Sequence, residues 1–385
     1  MQKLRIIKSI SLALIVCVLV IIFLPYIVDR QKNKVFQADF GKLNPPTKEF
    51  QDSLFIVDLH NDHLLWNRNL LTKANYGHVD LPRLREGNIS IGIFSSVTDV
   101  PFGLNYISNA EGLNSLTLLG ILQGRPLHTW GSLLERSLHH SKLLHEYETL
   151  SKGDLRIIKS RIDLNNFLIN RKNKQVGALL SVEGAHALEG KLENLDVLIN
   201  AGFSMIGLEH FFDNEVGGSA HGVEKMGLTP FGIELVKKMN EKNIIIDLSH
   251  SSEKVIDEVL DISTRPIMVS HTGVKGTCDG PRNLSDSELK KIAQKGGLVG
   301  IGFWKDAICG EDILSITKAI KYAIGVMGVD HVALGSDFDG AVSTVMDSSK
   351  LAYLTESLLK NGLTKSQIDL VMGKNALRFL QNNLP

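Results

Sequence analysis

The hydrophobic positions of this chain gather into eight short runs with little polar alternation: Ile56–His60, Ile89–Val97, Val176–Val182, Ser204–Leu208, Ile244–Leu248, Pro266–Ser270, Leu298–Phe303 and His331–Gly335. Stretches of helical character separate most of them, such as Thr229–Asn243, Ser252–Ser263, Ser285–Lys295 and Ile313–Gly328. A strand with one face in water alternates apolar and polar residues, whereas a continuous apolar run suits a strand covered on both faces, as in a parallel sheet. Eight such runs alternating with helices predict an α/β fold, a (β/α)8 TIM-like barrel. An open doubly wound sheet is the rival, and it loses support because no Gly-x-Gly-x-x-Gly follows the first run. The connection from Thr98 to Gln175 is long and contains helix-like segments, which predicts a helical insertion after the second strand, beside the barrel mouth.

The N-terminus has a different pattern. Ile10 to Val28 is uncharged and about long enough to cross a bilayer as a helix. Lys3, Arg5 and Lys8 precede it, which by the positive-inside rule leaves the N-terminus in the cytoplasm. A cleaved signal peptide is the alternative, but no Ala-x-Ala-like site follows and the stretch is long for a signal core. Leu14-Ile15-Val16-Cys17 is similar to a lipoprotein signal, although Val16 is bulkier than the residue usual before such a cysteine. The expected layout is a cytoplasmic N-terminus at 1–9, a transmembrane anchor at 10–28, a polar linker at 29–52 and the barrel at 53–385. In this single-pass, membrane-anchored layout the barrel would be extracytoplasmic.

Composition narrows the function classes. With 43% hydrophobic and 22% charged residues over 385 positions, the chain is ordinary globular material able to bury a large core. Lys+Arg and Asp+Glu are equal at 42 each, so no basic field argues for nucleic acid as a partner. Cys278 and Cys309 are the only cysteines beyond the predicted anchor. Two readings stay open for them: a pair in an extracytoplasmic compartment, or two free buried thiols.

Candidate chemistry sits where a barrel places it, at the C-terminal ends of the strands. The first run ends in His60-Asn61-Asp62, the third in Glu183 and the fourth in Glu209-His210. The fifth ends in Asp247-Leu248-Ser249-His250, the sixth in Ser270-His271 and the eighth in Ser336-Asp337-Phe338-Asp339. In an extended chain residues i and i+2 share a face, so His60 and Asp62 leave the first strand side by side. Any one of these is explained by a helix cap or a hydrogen-bonded histidine. Six of eight strand ends delivering a histidine or carboxylate to one rim point instead to one metal centre.

These motifs together resemble those of the membrane (renal-type) dipeptidases, binuclear zinc peptidases of the amidohydrolase-like barrel superfamily. The resemblance runs from about Asp58 to the end of the barrel. It rests on Asp58-Leu59-His60-Asn61-Asp62, Val182-Glu183-Gly184-Ala185-His186, Asp247-Leu248-Ser249-His250, Ser270-His271, Arg282-Asn283 and Ser336-Asp337-Phe338-Asp339-Gly340. It implies two Zn²⁺ per subunit, with His60 and Asp62 on one ion, His250 and His271 on the other, and Glu183 bridging both beside a bridging hydroxide. It further implies that His210 bonds the developing oxyanion, that Arg282 clamps the free carboxylate of a dipeptide, and that Asp337 engages its amino group and carries a proton. Asp339 is expected to be structural, and Asp58 either supports a ligand or is structural too. The implied partners are dipeptide substrates and the membrane; a homodimer is an open expectation.

The chain departs from the family pattern in Leu64-Leu65-Trp66, where some members carry Pro-Trp, and in Gly-Ala-His after Glu183. The sequence Phe379–Pro385 has no apolar tail of the kind a glycolipid anchor needs. Two rivals remain. A superfamily hydrolase acting on a cyclic amide or ester usually begins with His-x-His and often has a bridging lysine, and this chain has neither. A non-catalytic binding protein on a retired barrel would be expected to have lost ligands, and none is missing.

Overall fold

In the computed structural model, which describes residues 23–36, 38–172 and 174–385, all eight apolar runs form strands. The strands are β1 (Ile56–Asn61), β2 (Ile89–Val97), β3 (Leu155–Ile157), β4 (Val176–Glu183), β5 (Phe203–Gly207), β6 (Ile245–Asp247), β7 (Met268–Thr272), β8 (Leu298–Ile301) and β9 (Val332–Leu334). The order β2-β1-β9-β8-β7-β6-β5-β4 closes when β4 pairs back to β2 in parallel register, Ile91 opposite Gly177 through Val97 opposite Glu183. The short β3 was not expected. It pairs with β4 from Leu155 opposite Val176, and β5 begins its own pairing with β4 at Leu180.

Alternate residues along the strands sort into two apolar clusters. One joins Val57, Ile91, Leu179, Met205, Met268 and Leu298 from inside the ring to Phe379 and Leu380 of the C-terminal helix. The other packs Leu180, Ile206, Ile246, Val269 and Val299 against Leu235, Val259, Leu289 and Ile320 of the surrounding helices. At about 1.5–3 kcal/mol for each large side chain fully buried, this two-sided burial is what fixes the parallel ring. Helices restart after the strand ends on capping side chains. The Thr229 hydroxyl accepts from Gly232 N, Ser252 does so from Val255 N, and Ser285 forms a capping box with Glu288.

The insertion between β2 and β4 holds helices Ser115–Leu122, His128–Gly131, Leu133–Leu150 and Arg161–Asn170, with β3 among them. Its first part lies at the barrel mouth, as expected. The predicted anchor at 10–28 and the cytoplasmic 1–9 fall largely outside the described residues. What is described begins as a helix over 23–32, and among the described residues no helix is long and apolar enough to cross a membrane.

The stretch read as a polar linker is packed against the barrel. Asp29 and Asn33 are buried. Phe36 N donates to Thr344 O at 2.8 Å, and Thr344 N donates to Lys34 O at 2.9 Å. Helix Pro45–Ser53 buries Gln51, whose Nε2 donates to Gly87 O at 2.9 Å. These contacts are polar, so no apolar pattern announced them. Cys278 and Cys309 form a disulfide with Cα atoms 5.1 Å apart, which settles the alternatives left open for them.

Candidate metal centre

All eight predicted site residues meet at the C-terminal rim of the barrel, and all are buried. β1 delivers His60 and Asp62, β4 ends in Glu183, and the turns after β5 and β6 carry His210 and His250. His271 lies within β7, Arg282 in the loop after it, and Asp337 in the loop after β9. Glu183 is the hub. Its Oε1 lies 2.9 Å from His250 Nε2 and 3.3 Å from His271 Nε2, and its Oε2 lies 3.6 Å from His60 Nε2 and 3.7 Å from His210 Nε2. His60 Nε2 is also 3.4 Å from Asp62 Oδ2 and 3.9 Å from Asp337 Oδ1. Three groups have ligand atoms mutually within 4.8 Å: His60–Glu183–His271, Glu183–His210–His250 and His60–Asp62–Asp337. By distance alone, His210 and Asp337 sit as close as the ligands the resemblance assigned.

The donor set fits a cation. His60 Nε2 and Asp62 Oδ1 are buried without a hydrogen-bond partner, a costly state that a metal ion relieves. Arg282 Nη2 donates to His250 Nε2 at 3.0 Å, so His250 carries its lone pair on Nε2, the tautomer that could ligate a metal in place of that donor. The close approach of Nε2 to Glu183 then sets two acceptors together, which a cation between them would reconcile.

Electrostatics agree. Burial pushes Asp62 up to about 6 against the pull of His60. Burial also pushes Asp337 well above the usual carboxylate range, reinforced by Asp62 and Glu183. Burial raises Glu183 too, but the imidazoles of His210, His60, His250 and His271 around it outweigh that and hold the carboxyl well below that range. A buried carboxylate trio with imidazoles and no cysteine is oxygen and nitrogen chemistry, typical of a catalytic rather than a structural metal site.

Behind the ring, hydrogen bonds orient its side chains. His271 Nδ1–H donates to Ser270 Oγ at 2.9 Å, and Ser270 Oγ donates to Asp247 Oδ2 at 2.6 Å, leaving His271 Nε2 free. Asp247 therefore holds His271 in place through Ser270. Asp58 does something else: it accepts from Ser336 N at 2.9 Å and Ser336 Oγ at 2.6 Å, tying β1 to the loop after β9.

That loop is strained, with φ near +60° at Asp337, Asp339 and Ala341. Asp339 is structural, as expected, and pins it. Its carboxylate takes Arg68 Nη2 at 2.7 Å and the backbone N–H groups of His78 and Val79 at 2.7 and 3.2 Å. Gly340 has no room for a side chain, since a Cβ there would lie 2.0 Å from Asp337 Oδ1 and 2.9 Å from Asp62 Oδ2.

A cavity of about 650 Å³ opens over the cluster. In its wall the Arg282 guanidinium lies 4.9 Å from the centre of the Trp304 ring, and its Nε and Nη1 have no partner. Trp304 Nε1 donates to the Tyr106 hydroxyl at 3.0 Å. Sequence reasoning missed Arg68, Tyr106, Trp304 and the buried His221. All four lie outside the strands, where no periodicity marks them; only Trp304, three residues beyond β8, had a position to suggest it.

The fold and the site define a metal-dependent hydrolase of the (β/α)8 class. Residues 46–383 match the membrane dipeptidase family (peptidase family M19), and the chain belongs to that family: it is a metallo-dipeptidase. An uncharacterized dipeptidase of Schizosaccharomyces pombe is 28% identical over 373 residues, 91% of this chain and 83% of that protein. Among solved structures, the probable dipeptidase PvdM of Pseudomonas aeruginosa superposes with TM-score 0.73 at 19% identity, covering 88% of this chain and 97% of that one. A metallo peptidase of Rhodobacter sphaeroides, liganded with a phosphinate mimic of the dipeptide L-Ala-D-Ala, superposes with TM-score 0.71 at 22% identity, covering 86% and 99%. These two likenesses establish the fold.

Proposed function

We propose that the protein hydrolyses dipeptides at a binuclear zinc site, with His60 and Asp62 on one ion, His250 and His271 on the other and Glu183 between them. The observation that carries this is the division of Glu183: one carboxylate oxygen faces His250 and His271, and the other faces His60. A carboxylate so placed is suited to bridge two ions. The ions, when bound, would acidify a shared water and polarise the scissile carbonyl.

The chain's own residues supply the rest. Arg282, with Nε and Nη1 free and its plane over Trp304, offers a fork for the substrate's terminal carboxylate. Asp337 receives the substrate's amino group and moves a proton toward the leaving amine. His210 donates Nδ1–H to Asp99 O at 3.0 Å, so its Nε2 can donate to a developing oxyanion only when the ring is an imidazolium. Burial pushes the His210 imidazole below its ordinary value in spite of Glu183 Oε2 3.7 Å away, so the donating form is reached only as charge develops on the oxyanion. Capture of both termini admits dipeptides and rejects longer chains.

The reading includes attachment to the membrane through the apolar stretch that begins at Ile10, shortened from the expected 10–28 because Leu24, Pro25 and Val28 pack at the barrel mouth, with the barrel outside the cytoplasm. The Cys278–Cys309 disulfide supports this, because such bonds persist in oxidising compartments.

The test uses purified protein with Zn²⁺ against a panel of dipeptides, their N-acetyl derivatives and their C-terminal amides. Free dipeptides should be cleaved, both blocked series should resist, metal analysis should give two ions per chain, and chelation should abolish turnover. Cleavage of the blocked series as fast as the free ones would refute capture of the termini. No turnover of any dipeptide would refute the assignment.

A further inference from the structure

The helix over 23–32, which lies ahead of the barrel in the chain, is part of the wall of the catalytic cavity. Its residues divide by four-residue spacing, so that each set forms one stripe. Pro25, Asp29 and Asn33 are buried against the barrel. Leu24, Val28 and Lys32 line the same cavity as Asp62, Glu183 and Asp337, with Lys32 exposed at its rim. Val28 packs on a small apolar cluster of Leu65, Trp66, Val97 and Leu116.

The helix is fastened to the Asp337 side of the site. Arg68 Nε donates to Asp29 Oδ2 at 2.8 Å while its Nη2 reaches Asp339 at 2.7 Å. Asn33 Nδ2 donates to Asp29 Oδ1 at 2.8 Å, and Ala341 N donates to Asn33 Oδ1 at 3.0 Å. The helix therefore borders the part of the cavity formed by the loop that carries Asp337. A cavity of about 650 Å³ is within the about 300–1,000 Å³ that holds drug-sized ligands, which is ample for a dipeptide with a large side chain.

We infer that this helix is a specificity element: Leu24 and Val28, with Leu65, Trp66, Val97 and Leu116, form a subsite for a large apolar side chain on the amino-terminal residue of the dipeptide. The inference rests on the dipeptidase reading and adds the substrate class. An aliphatic or aromatic side chain would be taken out of water there, while a glycine would leave the subsite unfilled. Filling such a pocket is worth about tenfold to two-hundredfold in kcat/KM.

The test compares kcat/KM for Leu-Gly, Phe-Gly, Asp-Gly and Gly-Gly in the zinc-loaded wild type and in Leu24→Asp, Val28→Asp and Val28→Ile, with thermal unfolding and metal content measured for each variant. The wild type should favour Leu-Gly and Phe-Gly over Gly-Gly by about tenfold to a hundredfold. The aspartate variants should lower that ratio at least tenfold, whereas Val28→Ile should keep it within about threefold. A ratio unchanged in the aspartate variants, an equal fall for all substrates, or a wild-type preference for Asp-Gly would overturn the subsite and leave the dipeptidase reading standing. A wild type that cleaves none of the four overturns both.

Discussion

Glu209 precedes His210 and is fully buried, with Ser251 Oγ donating to its Oε2 and no partner at Oε1. Burial pushes its carboxyl up to about 8, in spite of Ser251 and helped by Asp213. The sign follows from proton linkage. Below about 4.5, the usual value, both states keep the proton and the group costs nothing. Between there and about 8 the unfolded chain ionises while the folded chain does not, so stability falls as pH rises, and the loss is complete above the folded pKa. Glu209→Gln keeps the shape and removes the titration. In metal-loaded protein it should raise the unfolding temperature by several degrees at pH 8.5 and leave it unchanged at pH 4.5; an equal shift at both would show that another effect dominates. At this scale much of the site was legible, because metal-binding residues at strand ends occupy the one place a parallel barrel exposes for chemistry. His60 and Asp62 show it best, one in the last pleat of β1 and the other just past its end. Arg68 and Tyr106 were not legible, since a loop residue acquires its role only from the element that folds against it.

Arg68 links three elements: the helix over 23–32 through Asp29, the loop after β9 through Asp339, and its own loop after β1 through a 3.1 Å bond from Nη1 to Val79 O. Both carboxylates are buried, so removing the cation leaves two uncompensated charges. Arg68→Met should therefore cost about 3–5 kcal/mol in urea unfolding. It should also lower kcat, because the positive-φ loop bearing Asp337 loses its main restraint, whereas KM for dipeptides held at Arg282 should move less. A change confined to stability, with kcat intact, would show that the loop holds its shape unaided. The strands were legible as elements because burial on both faces leaves a continuous apolar run that no helix–loop segment imitates. β3 was not, being three residues long with Arg156 exposed between Leu155 and Ile157. Helix Pro45–Ser53 was not either, since what it buries is Thr47 and Gln51.

For the whole molecule, the question is where the catalytic unit begins. Apolar patterning places the start at about residue 53, but hydrogen bonding places it further upstream. Gln51 Oε1 accepts from Thr355 Oγ1 at 2.6 Å, and Asn88 Nδ2 donates to the carbonyls of Gln51 and Leu54 at 2.8 and 2.9 Å. Removing residues up to 53 strips the first of these partners from Thr355 and half the acceptors from Asn88. It also leaves Arg68 with Asp339 as its one carboxylate and uncovers the Leu65–Trp66–Val97–Leu116 cluster where Val28 packs. Each buried polar group left unpaired costs about 1–3 kcal/mol, against a total stability of about 5–15 kcal/mol for a typical domain. Two soluble forms, one starting at Phe23 and one at Leu54, should then differ sharply. The first should unfold cooperatively and cleave dipeptides, whereas the second should melt at least 10 °C lower or aggregate on expression, and lose any preference for large apolar side chains. Equal melting temperatures and equal side-chain preference would mean that the 23–53 segment is a passive tether, because a wall of the active site cannot be removed without either effect.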